Sequence, residues 1–294
     1  MFSGEDMKIG VSSYSFDRYL RETKCGYREI LREASEIGFA GVEFIDLVNP
    51  AWGIEGDEIA LAREVRAAAD EHGLSIPAYT VAADFLSGDP EAEVERVCRK
   101  VDVAAALGAK VFRHDASFHL RDLPGYSWEN GISEMAPRIR RVTEYAAERG
   151  IVTCTENHGF IYQAPERVKR LIEAVGHPNY GWLVDLGNFA VVDHDNLEAV
   201  RIAAPYAVHA HAKDFVLLPD PGPGAGIPAG FNRSAGGNLW RGTVLGRGNV
   251  DVSGCLDALI SAGYDGWVSL EFEGPEEVLP ALAEGYSFLA RHLN

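Results

Sequence analysis

Residues 106–114 read ALGAKVFRH, in which an alanine-rich helical stretch ends at Gly108 and a short run with strand character follows. A glycine directly after a helix permits the left-handed backbone that closes the helix and turns the chain towards a strand. The same junction recurs at five more glycines: Gly38, Gly73, Gly150, Gly176 and Gly263. A seventh junction, APYAVHAHAKD at residues 204–214, makes the same switch without a glycine. The sequence therefore contains seven helix-to-strand switches.

Eight strands follow from this pattern, because a first strand without a preceding helix opens the chain. The predicted strands lie at residues 8–13, 41–46, 75–81, 109–115, 151–157, 181–186, 206–212 and 266–272. The junctions recur about every 37 residues, which is the size of one βα unit with its loops. This alternation predicts the α/β class, with a single (β/α)8 barrel over residues 1–294. A doubly wound open sheet would need a glycine-rich phosphate loop after an early strand, and residues 12–27 contain neither GxGxxG nor GxxxxGK(S/T).

The composition is that of a globular protein with an acidic surface. Of the 294 residues, 47% are hydrophobic and 24% charged, and the formal net charge is −17. That charge argues against a nucleic-acid partner, which needs clustered basic residues. The sequence has neither an apolar run of the roughly 18–20 residues that a membrane helix needs nor an apolar secretory segment at its start, so we expect a cytoplasmic protein. The four cysteines have no CxxC spacing and are expected to be reduced and mostly buried.

One long segment, residues 217–249, is rich in glycine and proline and is expected to be irregular. It lies between strand seven and the last helix before strand eight. Either it is a mobile surface insertion or it folds over the mouth of the barrel, where insertions at this position meet the catalytic face. Trp240, Arg241 and Arg247 favour the second interpretation.

Four successive predicted strands end in side chains of the types that commonly bind metals. In a (β/α)8 barrel the functional residues gather where strands end. These strand ends carry Glu156, Asp185, His211 and Glu271. Buried charges need compensation, so the set predicts a divalent cation. The oxygen-rich ligands favour Mn²⁺, with Mg²⁺, Co²⁺ or Zn²⁺ as alternatives.

Further polar residues near the strand ends are predicted to contact a substrate: His158, Asn188, Lys213, Arg247, Glu43 and His114. Two of them have alternatives, because His158 could be an acid or base and Glu43 could pair with Arg113. His209 shares the inward face of strand seven with His211 but lies deeper, which predicts a hydrogen-bonded core histidine.

The barrel pattern together with ENHG, DLGN, HAKD and LEFE resembles the xylose-isomerase-like TIM-barrel superfamily, in its sugar phosphate isomerase/epimerase group. That group includes D-tagatose 3-epimerases, inosose dehydratases and hydroxypyruvate isomerases. The resemblance implies that Glu156, Asp185, His211 and Glu271 bind a divalent metal and that the two glutamates exchange a substrate proton. The ketose 3-epimerases of this group carry a histidine where this chain has Asn188, and they lack the HAKD form.

These features together predict a divalent-metal-dependent isomerase or epimerase of a sugar or keto-sugar, which works through an enediolate. The alternative is a lyase that dehydrates an inosose, a dehydroshikimate or a keto-sugar through the same intermediate. An apurinic-site endonuclease would need a basic DNA-binding face, which the acidic composition disfavours. A non-catalytic sugar-binding protein would lack the metal. The expected partner is a small sugar or cyclitol, not a nucleic acid or membrane, and a homo-oligomer is left open.

Overall fold

In the part of the chain that the structure describes, residues 7–222, 224 and 226–293, eight parallel strands close into a barrel. The structure is a computed structural model. The barrel strands are β1 (Lys8–Ser12), β2 (Gly41–Ile45), β3 (Ala78–Val81), β4 (Val111–His114), β5 (Val152–Glu156), β6 (Tyr180–Asp185), β7 (Ala207–Ala212) and β11 (Trp267–Leu270). They are hydrogen-bonded in the order β1, β11, β7, β6, β5, β4, β3, β2, and β2 pairs with β1 to close the ring. The predicted (β/α)8 barrel is confirmed. The sequence predicts no secretory segment at the start of the chain. The first six residues, on which that prediction partly rests, lie outside the described range.

The third strand begins later than predicted. Regular pairing starts at Ala78 rather than at Ser75, which makes only an isolated bridge to Gly41. Pro77 explains the delay, because proline has no N–H group to donate to a neighbouring strand.

Helices surround the barrel and alternate with its strands. They are α1 (Asp17–Thr23), α2 (Tyr27–Ile37), α3 (Glu58–Glu71), α4 (Pro90–Leu107), α5 (Trp128–Ala147), α6 (Pro165–Val175), α7 (Asn196–Ala203), α8 (Val252–Ser261) and α9 (Val278–Leu293). The junction after α4 has the predicted geometry: Gly108 has φ = 80° and its N–H donates to the carbonyl oxygens of Ala104 and Ala105. A side chain would strain this left-handed position, so the glycine both ends the helix and directs the chain into β4.

Alternation along each strand sorts its side chains between the helices and the barrel interior. In β2, Val42 and Phe44 belong to the apolar core, whereas Glu43 between them points inward. There its carboxylate meets His209 and His211, which project from β7 on the far side of the barrel interior. The barrel is therefore polar inside at this level, and its apolar packing lies between strands and helices.

The segment at 217–249 is more regular than predicted. Its described residues contribute to a second, antiparallel sheet of β8 (Asp214–Leu218), β9 (Asn232–Arg233) and β10 (Leu239–Thr243), in the order β8, β10, β9. The residues of β8 pair with those of β10, from Leu218 opposite Leu239 to Asp214 opposite Thr243. The glycines and prolines are concentrated in the connections, where they do not interrupt this pairing.

The second sheet is fixed to the loop after β6. Ala190 and Val191, in the short 3-10 helix Asn188–Val192, form a small apolar cluster with Phe215 of β8. Trp240 packs on Phe215, with ring centroids 5.0 Å apart. Since β8 begins two residues after the end of β7, the sheet rises directly from the C-terminal end of the barrel.

Two further expectations concern cysteines and membranes. All four cysteines are free, with Cys154 and Cys255 buried and Cys25 and Cys98 half-buried. Among the helices of residues 7–222, 224 and 226–293, none combines the length and the apolar character that crossing a membrane requires.

Candidate active site

Four side chains from successive barrel strands converge at the C-terminal end of the barrel. Glu156 and Asp185 end β5 and β6, His211 lies near the end of β7, and Glu271 directly follows β11. Each offers one ligand atom, and these atoms all lie within 4.8 Å of one another. The strand register explains the convergence, since Asp185 pairs with His211 across β6 and β7 and His211 pairs with Ser269 across β7 and β11. Three of the four side chains are buried, and that of Glu271 is 10% exposed.

The ring nitrogen Nδ1 of His211 faces one oxygen from each carboxylate. It lies 3.5 Å from Glu271 Oε2, 3.7 Å from Glu156 Oε1 and 3.8 Å from Asp185 Oδ2. Neither Nδ1 nor Asp185 Oδ2 has a hydrogen-bond partner among the described residues, although both are buried. Buried polar atoms are nearly always satisfied. Ligand atoms about 2.1 Å from a shared cation, in tetrahedral directions, would lie about 3.4 Å apart. The donor set therefore fits a divalent metal ion.

Arg113 holds the carboxylate of Glu156 from the side of β4. One guanidinium nitrogen lies 2.7 Å from Glu156 Oε2 and 2.6 Å from Asp115 Oδ1. Asn188 Nδ2 donates to Glu156 Oε1 at 3.0 Å. Burial would raise the pKa of Glu156, but the charges of Arg113 and His211 lower it to about 2. Glu156 is therefore ionised, and Arg113 pairs with it and with Asp115 rather than with Glu43.

Lys213 supplies a second buried positive charge, on the side of Glu271. Its Nζ lies 2.6 Å from Glu271 Oε2, 3.4 Å from Asp185 Oδ2 and 3.6 Å from Glu273 Oε1. Burial lowers the pKa of Lys213, yet Asp185 and Glu271 raise it well above its ordinary value. Conversely, burial raises the pKa of Glu271 and Lys213 brings it well below the usual range. Both groups of this pair are therefore charged.

Asp185 remains the carboxylate with the least compensation. Burial raises its pKa; Lys213 lowers it, but the negative charges of Glu156 and Glu271 raise it, and the result is about 6. Its Oδ1 accepts the backbone N–H groups of Gly187 and Asn188, at 2.8 and 2.7 Å. These bonds turn Oδ2 towards the ring of His211. An additional cation at this point would stabilise the ionised form of Asp185.

Beneath the four candidate metal ligands, Glu43 bridges two histidines. Its Oε1 lies 2.9 Å from His211 Nε2, and its Oε2 lies 2.7 Å from His209 Nε2. Burial raises the pKa of Glu43, but His211 and His209 lower it below its ordinary range. Glu43 is completely buried and both of its oxygens are engaged, so the structure places it beneath the site rather than where the predicted contact with substrate would need it. His209 also lies 2.9 Å from Ser269 Oγ and is the hydrogen-bonded core histidine that the alternation predicts.

A model of the xylose isomerase-like TIM barrel family matches residues 31–292. The chain belongs to this family. It is 28% identical over 209 residues to 2-epi-5-epi-valiolone 7-phosphate 2-epimerase of Actinoplanes sp., a match that covers 68% of this chain and 72% of the relative. It is 26% identical over 302 residues to inosose dehydratase of Geobacillus thermodenitrificans, covering 98% and 95%.

The family likeness extends to solved structures. A xylose isomerase-like TIM barrel protein from Mycobacterium smegmatis, solved in complex with magnesium, superposes with a TM-score of 0.69 at 18% identity. The match covers 100% of this chain and 98% of that protein. At this level of identity the likeness establishes a shared fold.

Within this family barrel, two further predicted substrate contacts lie away from the four ligand side chains. His114 is completely buried between Phe85 and Tyr180, with ring centroids 5.3 and 5.9 Å away, and burial lowers its pKa to about 4. It points outward because its neighbours in sequence, Arg113 and Asp115, point inward. Arg247 is exposed and bound to Glu284 of α9, with Nε 2.7 Å from Oε1. The structure therefore does not bring either residue to the four candidate metal ligands.

The other predicted contacts lie close to the four ligand side chains. Asn188 and Lys213 touch the carboxylates themselves, as described above. His158 lies beside them, with Nδ1 3.0 Å from Asp115 Oδ1 and 46% of its side chain exposed. The buried Asp115 thus orients an imidazole whose opposite edge faces outward. The sequence signal for Asp115 was available, because alternation through the residues RHD places positions 113 and 115 on one face.

Proposed function

We propose that this protein is a divalent-metal-dependent isomerase or epimerase that acts on a sugar or keto-sugar. The observation that carries the proposal is the convergence of Glu156, Asp185, His211 and Glu271, with Nδ1 and Oδ2 lacking hydrogen-bond partners among the described residues. Similarity to an epimerase of a sugar-like substrate supports it. The expected substrate is a small sugar or cyclitol.

A divalent cation, Mn²⁺ by expectation with Mg²⁺, Co²⁺ or Zn²⁺ as alternatives, would polarise a substrate carbonyl and stabilise negative charge on its oxygen. The protein supplies the proton chemistry through Glu156 and Glu271. Both are held ionised, by Arg113 and Lys213 respectively, so either can take the proton from the carbon next to the carbonyl. The substrate then becomes an enediolate. Return of the proton to the neighbouring carbon gives an isomer, and its return to the opposite face gives an epimer.

The remaining polar residues position the two glutamates and the substrate. Asn188 donates to Glu156 Oε1 and lies 3.4 Å from Lys213 Nζ, so it links the groups that hold the two carboxylates. His158, oriented by Asp115 and exposed at its outer edge, is suited to meet a substrate hydroxyl. The histidine that the ketose 3-epimerases carry is replaced here by an amide already engaged with Glu156. We therefore expect a substrate other than that of the D-tagatose-type enzymes.

A lyase is the second candidate, and one specific observation favours it. The inosose dehydratase aligns over 98% of this chain, whereas the epimerase aligns over 68%. A dehydratase would form the same enediolate. It would then expel the hydroxyl group on the next carbon, which leaves with a proton as water.

The test combines metal analysis with exchange in heavy water. The protein is purified and its metal content measured by mass spectrometry, before and after treatment with EDTA. Mn²⁺ is then added back, and the protein is incubated in D₂O with a panel of keto-sugars and inososes. A product that takes up deuterium and otherwise keeps the composition of the substrate indicates an isomerase or epimerase. A product that has lost one water molecule indicates a lyase.

Two controls make this experiment decisive. Glu156→Gln should remove the exchange, whereas Glu284→Gln, which alters a half-exposed carboxylate on α9, should keep it. A wild-type protein that binds no divalent ion and exchanges deuterium into no member of the panel would contradict the proposed function.

A further inference from the structure

We infer that Glu43 is a positioning residue for His211: from beneath the ligand set it fixes which ring nitrogen carries the proton and so turns Nδ1, as an acceptor, towards the metal ligands. The inference rests on the proposed function, because it takes His211 to be a metal ligand. It assigns Glu43 no contact with substrate.

The proton assignment follows from the two contacts of Glu43. An ionised carboxylate only accepts hydrogen bonds. The Nε2 atoms of His211 and His209 lie 2.9 and 2.7 Å from its two oxygens, so both nitrogens must carry hydrogen. A histidine that binds a metal ion does so as a neutral imidazole, so with the metal bound the hydrogen on Nε2 leaves the other nitrogen unprotonated. For His211 this nitrogen is Nδ1, the atom that faces Glu156, Asp185 and Glu271.

With a metal ion bound at Nδ1, the opposite tautomer is disfavoured at both edges of the ring. With hydrogen on Nδ1, the lone pair of Nε2 would face the carboxylate of Glu43 at hydrogen-bond distance. Nδ1 would then have no lone pair to offer a cation. A carboxylate behind a metal-binding histidine is a general means of fixing ring orientation and increasing ligand basicity.

Glu43 is itself held in place from below. Its Oε2 is bound by His209 Nε2, which also lies 2.9 Å from Ser269 Oγ. Glu43, His209 and Ser269 are completely buried, so water does not compete for these contacts. The chain of contacts runs from β11 through β7 to β2 and back to β7. It fixes the carboxylate that in turn fixes His211.

The first test measures Mn²⁺ binding by calorimetry. Glu43→Gln keeps the shape of the side chain, but it removes the negative charge and replaces one of the two acceptor oxygens with an N–H donor. We expect the dissociation constant for Mn²⁺ to rise by about 10–100-fold. The matched control is Ser269→Ala, which removes a contact of His209 and leaves the pair of Glu43 and His211 intact. It should change the dissociation constant less than about threefold.

The outcomes separate this inference from the proposed function. A folded Glu43→Gln variant, checked by circular dichroism, that binds Mn²⁺ within threefold of wild type would overturn the role of Glu43 alone. A wild-type protein that binds no Mn²⁺ would overturn the proposed metal site and this inference with it.

The second test needs no variant at Glu43 and so does not depend on its folding. In wild-type protein loaded with Zn²⁺, which is diamagnetic, long-range nitrogen–proton NMR correlations report the protonation of each ring nitrogen. Comparison with His211→Asn assigns the signals. We expect hydrogen on Nε2 of His211 and none on Nδ1. Hydrogen on Nδ1 with an unprotonated Nε2 would overturn the inference.

Discussion

Lys213 Nζ lies 2.6 Å from Glu271 Oε2 and 3.4 Å from Asp185 Oδ2. The ammonium therefore approaches two of the oxygens that the proposed metal ion would use. Like charges repel strongly at short distance in buried surroundings. Because lysine and metal would compete for the same negatively charged oxygens, we expect Lys213 to stabilise the metal-free protein and to lower its affinity for the metal.

Replacing Lys213 should expose this competition. We expect Lys213→Met to bind Mn²⁺ about tenfold more tightly, equivalent to about 1.4 kcal/mol, because a repulsive charge is removed. Its metal-free form should melt at a lower temperature than wild type, since Glu271 loses its partner, and Mn²⁺ should raise its melting temperature by more. Lys169→Met, at a half-exposed lysine on α6, is the control. Unchanged Mn²⁺ affinity in Lys213→Met would argue against the competition.

The two proposed proton-transfer carboxylates can be tested separately. Glu156→Gln and Glu271→Gln should each lower kcat by about 100-fold or more, because an amide cannot take the substrate proton. Deuterium exchange into the substrate measures the step directly. If one variant keeps its exchange rate while the other loses it, the first residue has no part in proton transfer.

Arg113 is expected to be essential for stability as well as for the state of Glu156. Arg113→Met leaves Glu156 and Asp115 buried without their guanidinium, which should reduce the free energy of unfolding by about 3–5 kcal/mol. Urea unfolding measures the loss. Adding Asp115→Asn should recover part of it by removing one of the two uncompensated charges. A loss below about 1 kcal/mol would mean that the buried carboxylates find other partners.

His114 should make stability depend on pH. Burial lowers its folded-state pKa to about 4 from an ordinary value of 6.5, so between these values the unfolded chain binds a proton that the folded chain does not. The contribution of His114 to the free energy of unfolding is complete above pH 6.5 and is lost as the pH falls. At pH 5 this loss amounts to about 2 kcal/mol. His114→Phe should therefore lose less free energy of unfolding than wild type between pH 7 and pH 5. Equal losses in the two proteins would show that His114 does not titrate differently on folding.

Much of the barrel and the position of the four candidate metal ligands follow from local sequence signals. Glycine junctions such as Gly108 can be located from the sequence, because the left-handed turn that ends a helix involves only one residue and its neighbours. Convergence of Glu156, Asp185, His211 and Glu271 follows from parallel strands, whose C-terminal ends must meet at one edge. The depth of His209 follows from alternation in one strand.

The remaining features depend on contacts between distant segments. Glu43 and His211 are 168 positions apart, and whether a strand-end acid reaches the mouth or stops below it depends on how the barrel strands are staggered. Arg113 meets Glu156 for the same reason. The pairing of β8 with β10 joins residues on either side of a glycine- and proline-rich stretch, whose composition alone indicates an irregular loop.

The four proposed ligands come from the later half of the chain, whereas Glu43 and Arg113 come from β2 and β4. A fragment starting near β5 would contain every proposed donor atom. It would lack both Glu43, which we infer to orient His211, and Arg113, which pairs with Glu156. A chimera assembled from half-barrels of two different relatives would take the proposed ligands from one relative and the residues at the positions of Glu43 and Arg113 from the other. The two halves of this chain therefore have to be exchanged as a matched pair.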